Sequence, residues 1–240
     1  LDNDGIDKQQ RLIRVRATVL HDSIHIDYTG TDRESQGPIN VSEALAHCFA
    51  FMGVKASLDP HGSINSGSFR PITVTVPNNS MLNATAPAPA AGTGELGQTS
   101  IFVMQALSNV APNTVSAGEA GSANHQNLFG FDTRYNIPKR YIYYDYPGGG
   151  GGGRSTKDGL DFVRSLRSGN VNIQPVEVLE SLFPIMFHKY ELVRDSGGPG
   201  KFRGGMGVIR EYQTPSSGNI SFLGDHAIVP PSGISLGYAG

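Results

Sequence analysis

Apolar and polar residues alternate with a period of two near the start of the chain. Ile13, Val15, Ala17 and Val19 interleave with Arg14, Arg16 and Thr18, and Ile24, Ile26 and Tyr28 with His25 and Asp27. The break at His21-Asp22-Ser23 joins the two runs, and the pattern predicts a hairpin. Gly37-Pro38 ends this extended stretch. From Ser42, a candidate N-cap, Leu45, Cys48, Phe49, Met52 and Ala56 recur at helical spacing, which predicts a helix with Cys48 in its apolar stripe. Ile72, Val74 and Val76 form a short predicted strand closed by Pro77, and residues 84–94 read as a Pro/Ala-rich loop. Thr99 is placed to cap a second helix carrying Val103, Ala106, Leu107 and Val110 on one face.

Residues 114–127 are small and polar and predict a loop. Residues 139–146 are aromatic and strand-like, and run into six glycines, 148–153. Pro175 with Val176, Val178 and Leu179 predicts a short helix, and 186–193, 208–212 and 220–223 predict strands with Gly-rich turns between them. The pattern as a whole predicts a mixed α+β fold, strand-rich with a few helices and many Gly-rich loops.

Length and composition change the picture in a few places. A chain of 240 residues is one large domain or two small ones. The glycine run divides it into an α+β part, 1–146, and a β-rich part, 154–240. With 31 glycines and 15 prolines the chain is turn-rich but below the roughly 25–30% that marks disorder. A net charge of −2 and only 17% charged residues, without a basic stripe, argue against a nucleic-acid partner. No apolar run approaches the roughly 18 residues of a membrane span. The single cysteine, Cys48, excludes an internal disulfide framework, and the expected location is cytoplasmic. Leu1-Asp2-Asn3-Asp4-Gly5 reads as a segment entered mid-protein.

Several motifs have both a chemical and a structural reading. Residues 148–155 fit a phosphate loop, G-x-x-x-x-G-[K/R]-S, but Arg154 stands where the motif needs Lys and Lys157-Asp158-Gly159 interrupts a following helix. A turned or flexible loop is the expectation, so Gly150→Ala is expected to matter little. His25 and Asp27, with His21 near, fall short of the three ligands a metal needs. His47 is expected to be packed or exposed, and Cys48 to be a core residue. Asn124, His125 and Asn127 present side chains from a loop of small residues. Asn170, Asn172 and Gln174 form a similar run. Between residues 195 and 205, the glycines of Asp-Ser-Gly-Gly-Pro-Gly are expected to supply positive-φ turn positions, holding Tyr190 and Phe202 in the core with Arg203 able to reach a ligand.

Taken in order, these segments resemble the HyuB-type subunits of the hydantoinase B/oxoprolinase family. The resemblance is carried by Ile26-Asp27-Tyr28-Thr29-Gly30-Thr31, Gly37-Pro38-Ile39-Asn40, Asn65-Ser66-Gly67-Ser68-Phe69-Arg70-Pro71-Ile72, the Asn124 to Asn127 segment before Phe129-Gly130, and Pro175-Val176-Glu177-Val178-Leu179-Glu180. Its densest part runs from Tyr190-Glu191-Leu192 through Asp195-Ser196-Gly197-Gly198-Pro199-Gly200 to Phe202-Arg203-Gly204-Gly205.

The resemblance implies the C-terminal half of a subunit that acts with a HyuA-like ATP-binding subunit on a small molecule. Such complexes use ATP to open cyclic amides (hydantoin, oxoproline or lactam). Relatives carboxylate ketones such as acetone and acetophenone, and a non-catalytic assembly module of such a complex is the reading from a different class. ATP and Mg are expected on the partner subunit and a divalent metal in the N-terminal half. None is expected on this chain alone, and no metal ligand is transferred to it. Asn40, Asn124, His125, Asn127 and Asp158 are the expected substrate-binding residues; no catalytic residue is assigned. The chain departs from the family at residues 162–167, Phe-Val-Arg-Ser-Leu-Arg, where many relatives carry a His/Thr/Asn-rich segment.

Overall fold

The hairpin forms as the alternation requires: β1 (Arg16–Val19) pairs antiparallel with β2 (Ile24–Asp27), placing Ala17 opposite Ile26. The computed structural model describes residues 1–121, 124–168 and 173–240. β3 (Ile72–Thr75) joins β2 in parallel, with Ile24 opposite Ile72. α1 (Glu43–Leu58) is the crossover between them, as parallel pairing demands. The short α2 (Ser66–Phe69) leads into β3, and Asn65 accepts the Ser68 N–H at 3.2 Å at its start. A main core of Ile26, Tyr28, Val41, Phe49, Leu82 and Val103 fills the space between sheet and helices.

α1 turns a different face inward from the stripe read in the sequence. Ala46, Phe49, Ala50, Gly53, Val54 and Ser57 are buried, and Cys48 is exposed, which corrects the core placement of that residue. The reason is helix packing. A Cβ at Gly53 would lie 2.6 Å from the Ser100 carbonyl oxygen of α4 (Thr99–Ala106), so small residues face the close contact and larger ones flank it. Ser42 stands at the N-cap of α1 without a side-chain cap bond. Thr99 is the first residue of α4 and not its cap, because α3 (Thr93–Leu96) passes into α4 through helical residues at Gly97 and Gln98.

The expected loop at residues 114–127 gives way to strand at its last three residues. β4 (His125–Asp132) is the centre of a second sheet in the order β5-β4-β8, with β5 (Lys139–Asp145) and β8 (Gly218–Leu223) antiparallel on either side. Weak local propensity in His125-Gln126-Asn127 yields here to two tertiary partners. Leu128, Tyr141 and Tyr143 point to one face and pack on Leu179 of α5 (Val176–Leu182) and on Phe187 and Tyr212 of a third sheet, β6 (Met186–Leu192) with β7 (Val208–Gln213). On the opposite face Phe129, Phe131 and Ile142 are exposed. Together the elements form a mixed α+β fold.

The glycine run is neither a flexible loop nor a phosphate loop. Gly149 exchanges both backbone hydrogen bonds with Val163 (2.9 and 2.6 Å), the Gly151 N–H donates to Leu160 (2.9 Å), and Ala117 and Ala120 donate to Gly153 and Gly150 (both 2.9 Å). Gly205 donates in turn to Gly151 (2.8 Å). Residues 117–120, 149–153, 160–163 and 205 therefore lie side by side through their backbones, with Gly151, Gly152 and Gly153 buried. These N–H groups are taken up by carbonyls, and a turn at residues 154–157, not a helix, follows. In the 195–205 segment the residue with positive φ is Asp195 (56°); its glycines serve close approach, not turn geometry. Tyr190 and Phe202 are half-buried there and Arg203 is exposed.

The first residues are pinned to the last third. The Asp2 carboxylate accepts the N–H groups of Ala227 (2.7 Å), Ile228 (3.0 Å) and Val229 (2.7 Å), while Asp225 accepts the Asp2 N–H at 2.8 Å. Contacts thus cross the 146/154 division in both this bracket and the β4–β8 pairing.

Candidate functional site

Main-core packing of Leu96, Val103 and Leu107 fixes α3 and α4, and with them Glu95, Gln98 and Thr99, all at most 3% exposed. The short 3-10 turn Leu166–Ser168 packs on α4, and Arg167 and Tyr144, at the end of β5, feel the charge of Glu95. His125 Nδ1 pairs with the Tyr144 hydroxyl, and its ring stacks on Tyr146 with centroids 5.2 Å apart at 15°. Tyr146 bonds through its hydroxyl to Ser168 and holds two guanidiniums over its ring, Arg164 at 4.3 Å and Arg167 at 5.5 Å. Glu119, in the 117–121 strip beside the glycines, accepts the Leu166 N–H at 2.8 Å. Asp225 accepts the Gln98 amide at 2.6 Å. Three residues here adopt left-handed backbone, Gly121 (φ 56°), Asn124 (φ 42°) and His226 (φ 67°), the last two at some cost in strain.

What sets this cluster apart is polar atoms left over after folding. Both Glu95 carboxyl oxygens, Thr99 Oγ1, His125 Nε2, Arg164 Nε and Nη1, and Arg167 Nε and Nη2 are buried without a hydrogen-bond partner. Such groups are rare in folded proteins and call for an explanation. Burial raises the Glu95 carboxyl above the usual carboxylate range, against the attraction of Arg167. Burial also pushes Glu119 up to about 7, partly offset by the Leu166 N–H and Arg167. His125 moves down, by burial first and then by Arg167. At neutral pH the site therefore holds two arginine side chains, a neutral imidazole and, in Glu119, a carboxyl poised to carry a proton.

Glu119 gives a direct test of that electrostatics. A carboxyl whose folded pKa lies above its unfolded value favours folding when protonated, and that stability is lost as pH rises from about 4.5 to 7. Glu119→Gln keeps an acceptor for Leu166 and removes the buried charge. It should stabilise the protein by on the order of 2–3 kcal/mol at pH 8 and by almost nothing below pH 4.5, read from urea unfolding at both values.

The sequence-derived site residues are only partly brought together. Asn124 and His125 lie in the cluster, and Asn127 lies on the same face of β4, in register with Tyr144. Asn40 is fully buried in the main core region, with its amide bonded to Ser35 (2.6 and 2.8 Å), Gly37 (3.2 Å) and Pro89 (2.9 Å), so its side chain is committed to the fold. Asp158 is exposed and accepts the Arg203 N–H at 2.8 Å. Asn170 and Asn172 lie outside the described residues, and Gln174 is exposed. Sequence reading missed Glu95, Glu119, Arg164 and Arg167; the departure at residues 162–167 was the one signal that marked the two arginines. A cavity of about 780 Å³, walled mostly by the glycine segments and the tail after Pro231, reaches the cluster at Glu119, Asn124, Asp225 and His226.

The sequence matches the family described as Hydantoinase B/oxoprolinase over residues 2–240. The B-type component of a putative D-/L-hydantoinase from Pseudomonas sp. (strain NS671) is 31% identical over 248 residues, covering 100% of this chain and 41% of the relative. Among solved structures, the ATP-dependent caprolactamase of Pseudomonas jessenii superposes with a TM-score of 0.75 at 26% identity, over 84% of this chain and 35% of that one. Acetone carboxylase in its nucleotide-free form reaches a TM-score of 0.76 at 18% identity, over 88% of this chain and 29% of its own, a likeness of fold. The chain thus spans well under half the length of the relatives it matches. No helix among the described residues is long and apolar enough to cross a membrane.

Proposed function

The chain belongs to the hydantoinase B/oxoprolinase family, and from that premise we propose that it forms the C-terminal part of an ATP-dependent hydrolase opening cyclic amides such as hydantoin, oxoproline or a lactam. It acts there with a HyuA-like ATP-binding subunit and the preceding half of its own subunit. The family match along residues 2–240 carries this reading. Support comes from the caprolactamase likeness, a protein described as ATP-dependent. Phosphoryl transfer from ATP to the amide oxygen, with ADP leaving, turns a poor electrophile into one that water attacks, and the ring C–N bond breaks as phosphate departs. ATP and Mg belong on the partner subunit in this proposal, and a divalent metal in the other half; among the described residues no three His, Cys, Asp or Glu side chains converge to hold one.

This chain's share is a wall of the substrate site. Arg164 and Arg167 offer buried donors to an oxygen that gains charge. Neutral His125, in the tautomer whose Nδ1–H donates to the Tyr144 hydroxyl, leaves Nε2 able to take a proton. The assay is ATP turnover by the full-length protein and its partner on hydantoins, lactams and ketones, with and without bicarbonate. A ring-opened product formed without bicarbonate is expected. A carboxylated ketone that requires bicarbonate would move the protein to the ketone carboxylases. Arg167→Met should lower kcat/KM by about tenfold or more. Unchanged kinetics would leave the chain a non-catalytic assembly module.

A further inference from the structure

We propose that Arg167, with Arg164 and Glu95 beside it, binds a small planar oxyanion, a carboxylate or bicarbonate. The observation is the pair of atoms left open on Arg167. Nε and Nη2 lie on one edge of the guanidinium and form the two-pronged donor that matches the two oxygens of a carboxylate. Both are buried and without an acceptor. Burying charged donors unpaired costs free energy that a structure keeps only where something offsets it.

The surroundings narrow the ligand. Glu95, Glu119, His125 and Tyr144 all feel the charge of Arg167, yet none of the ion pairs among the described residues involves it. Arg164 brings a second positive charge over the same Tyr146 ring, which disfavours a cationic ligand and leaves a neutral one unable to offset two guanidiniums. Glu95 is 3% exposed with both oxygens unpartnered. In protonated form its carboxyl donates a hydrogen bond to an entering anion in place of repelling it. Both arginines are half-buried as residues, so solvent reaches part of each side chain while the fork itself is covered.

The inference rests on reading this cluster as a ligand site and not on the reaction. Binding is measured on the full-length protein without ATP, so anion binding without turnover would count against the proposed reaction alone. Titration calorimetry with sodium acetate, sodium bicarbonate, inorganic phosphate and acetamide separates the sources. Saturable one-to-one binding of acetate or bicarbonate is expected, with phosphate weaker and acetamide silent. Arg167→Lys keeps the charge and loses the fork, and should weaken binding by about tenfold. Glu95→Gln should bind at least as well as the parent. In the unsubstituted protein, arginine Nε–H resonances should shift on titration, a readout that holds if Arg167→Lys does not fold. Absence of saturable binding by both planar anions, equal binding of acetamide, or an unaltered affinity in a folded Arg167→Lys protein would each overturn the proposal. So would arginine resonances that ignore the anion, which would mean the fork holds only water.

Discussion

Gly150→Ala is expected to cost at least about 3 kcal/mol and to compromise folding outright, although it adds one methyl group. The Cβ would fall inside the van der Waals envelope of the Gly205 carbonyl oxygen. Gly205 is held on its other side, where its own Cβ would overlap the Leu160 carbonyl, and Gly159 is pressed likewise against the Gly151 carbonyl. Because the obstructing atoms are backbone in a hydrogen-bonded stack, no side chain is free to swing away, and relief requires separating segments that bond to each other. Gly207→Ala is the control: its nearest neighbour would be Ser196 Oγ at 3.7 Å, an ordinary contact, and its effect should stay within about 0.5 kcal/mol. Urea unfolding of the two variants side by side tests the difference. A Gly150→Ala protein as stable as its parent would mean the stack is looser than described.

Breaking the ion pair of Arg210 and Asp145 should be comparably severe. The two side chains are 7% and 9% exposed, and Arg210 also donates to the Tyr143 hydroxyl at 3.2 Å and lies 4.7 Å from the Tyr190 ring centroid and 5.1 Å from that of Phe187. Arg210 stands on β7 and Asp145 on β5, so the pair joins two sheets that share no backbone hydrogen bond. Asp145→Ala leaves a buried guanidinium uncompensated and is expected to cost about 3–5 kcal/mol. The double variant Asp145→Leu/Arg210→Met should recover much of that loss in thermal melts, since the penalty lies in the unpaired charge. A single variant as costly as the double would instead assign the loss to packing.

The strands and helices that pack on one face were legible because their periodicity is the burial pattern itself, as in the hairpin, β5 and α5. Which face of α1 turns inward was not. Gly53 and Ala50 carry little hydrophobicity, and only the approach of α4 makes smallness the deciding property. β4 was not predicted at all, because pairing on both edges, not composition, makes it a strand from His125 to Asp132. The glycines were read as flexible loop or turn positions, whereas their role depends on segments brought together by the fold. Of the site, Asn124 and His125 were found as polar residues in an unusual setting. Glu95, Glu119, Arg164 and Arg167 look like ordinary surface charges until the fold covers Glu95 and the polar atoms of the two arginines, and such cover is a property that no local pattern contains.

The bracket between Asp2 and residues 225–229, with the pairing of β4 to β8, has a consequence for synthesis. The second residue waits for partners more than 220 positions later, and the central strand of the second sheet keeps an open edge until residue 218 has left the ribosome. The nascent chain therefore cannot close its sheet segment by segment, and such long-range closure folds slowly. From the completion of β4 until β8 is made, that edge, on the strand that carries Phe129 and Phe131, stands ready to pair with a neighbouring chain. Yield of folded protein should accordingly depend on slow expression and chaperone supply more than on the stability of the finished fold.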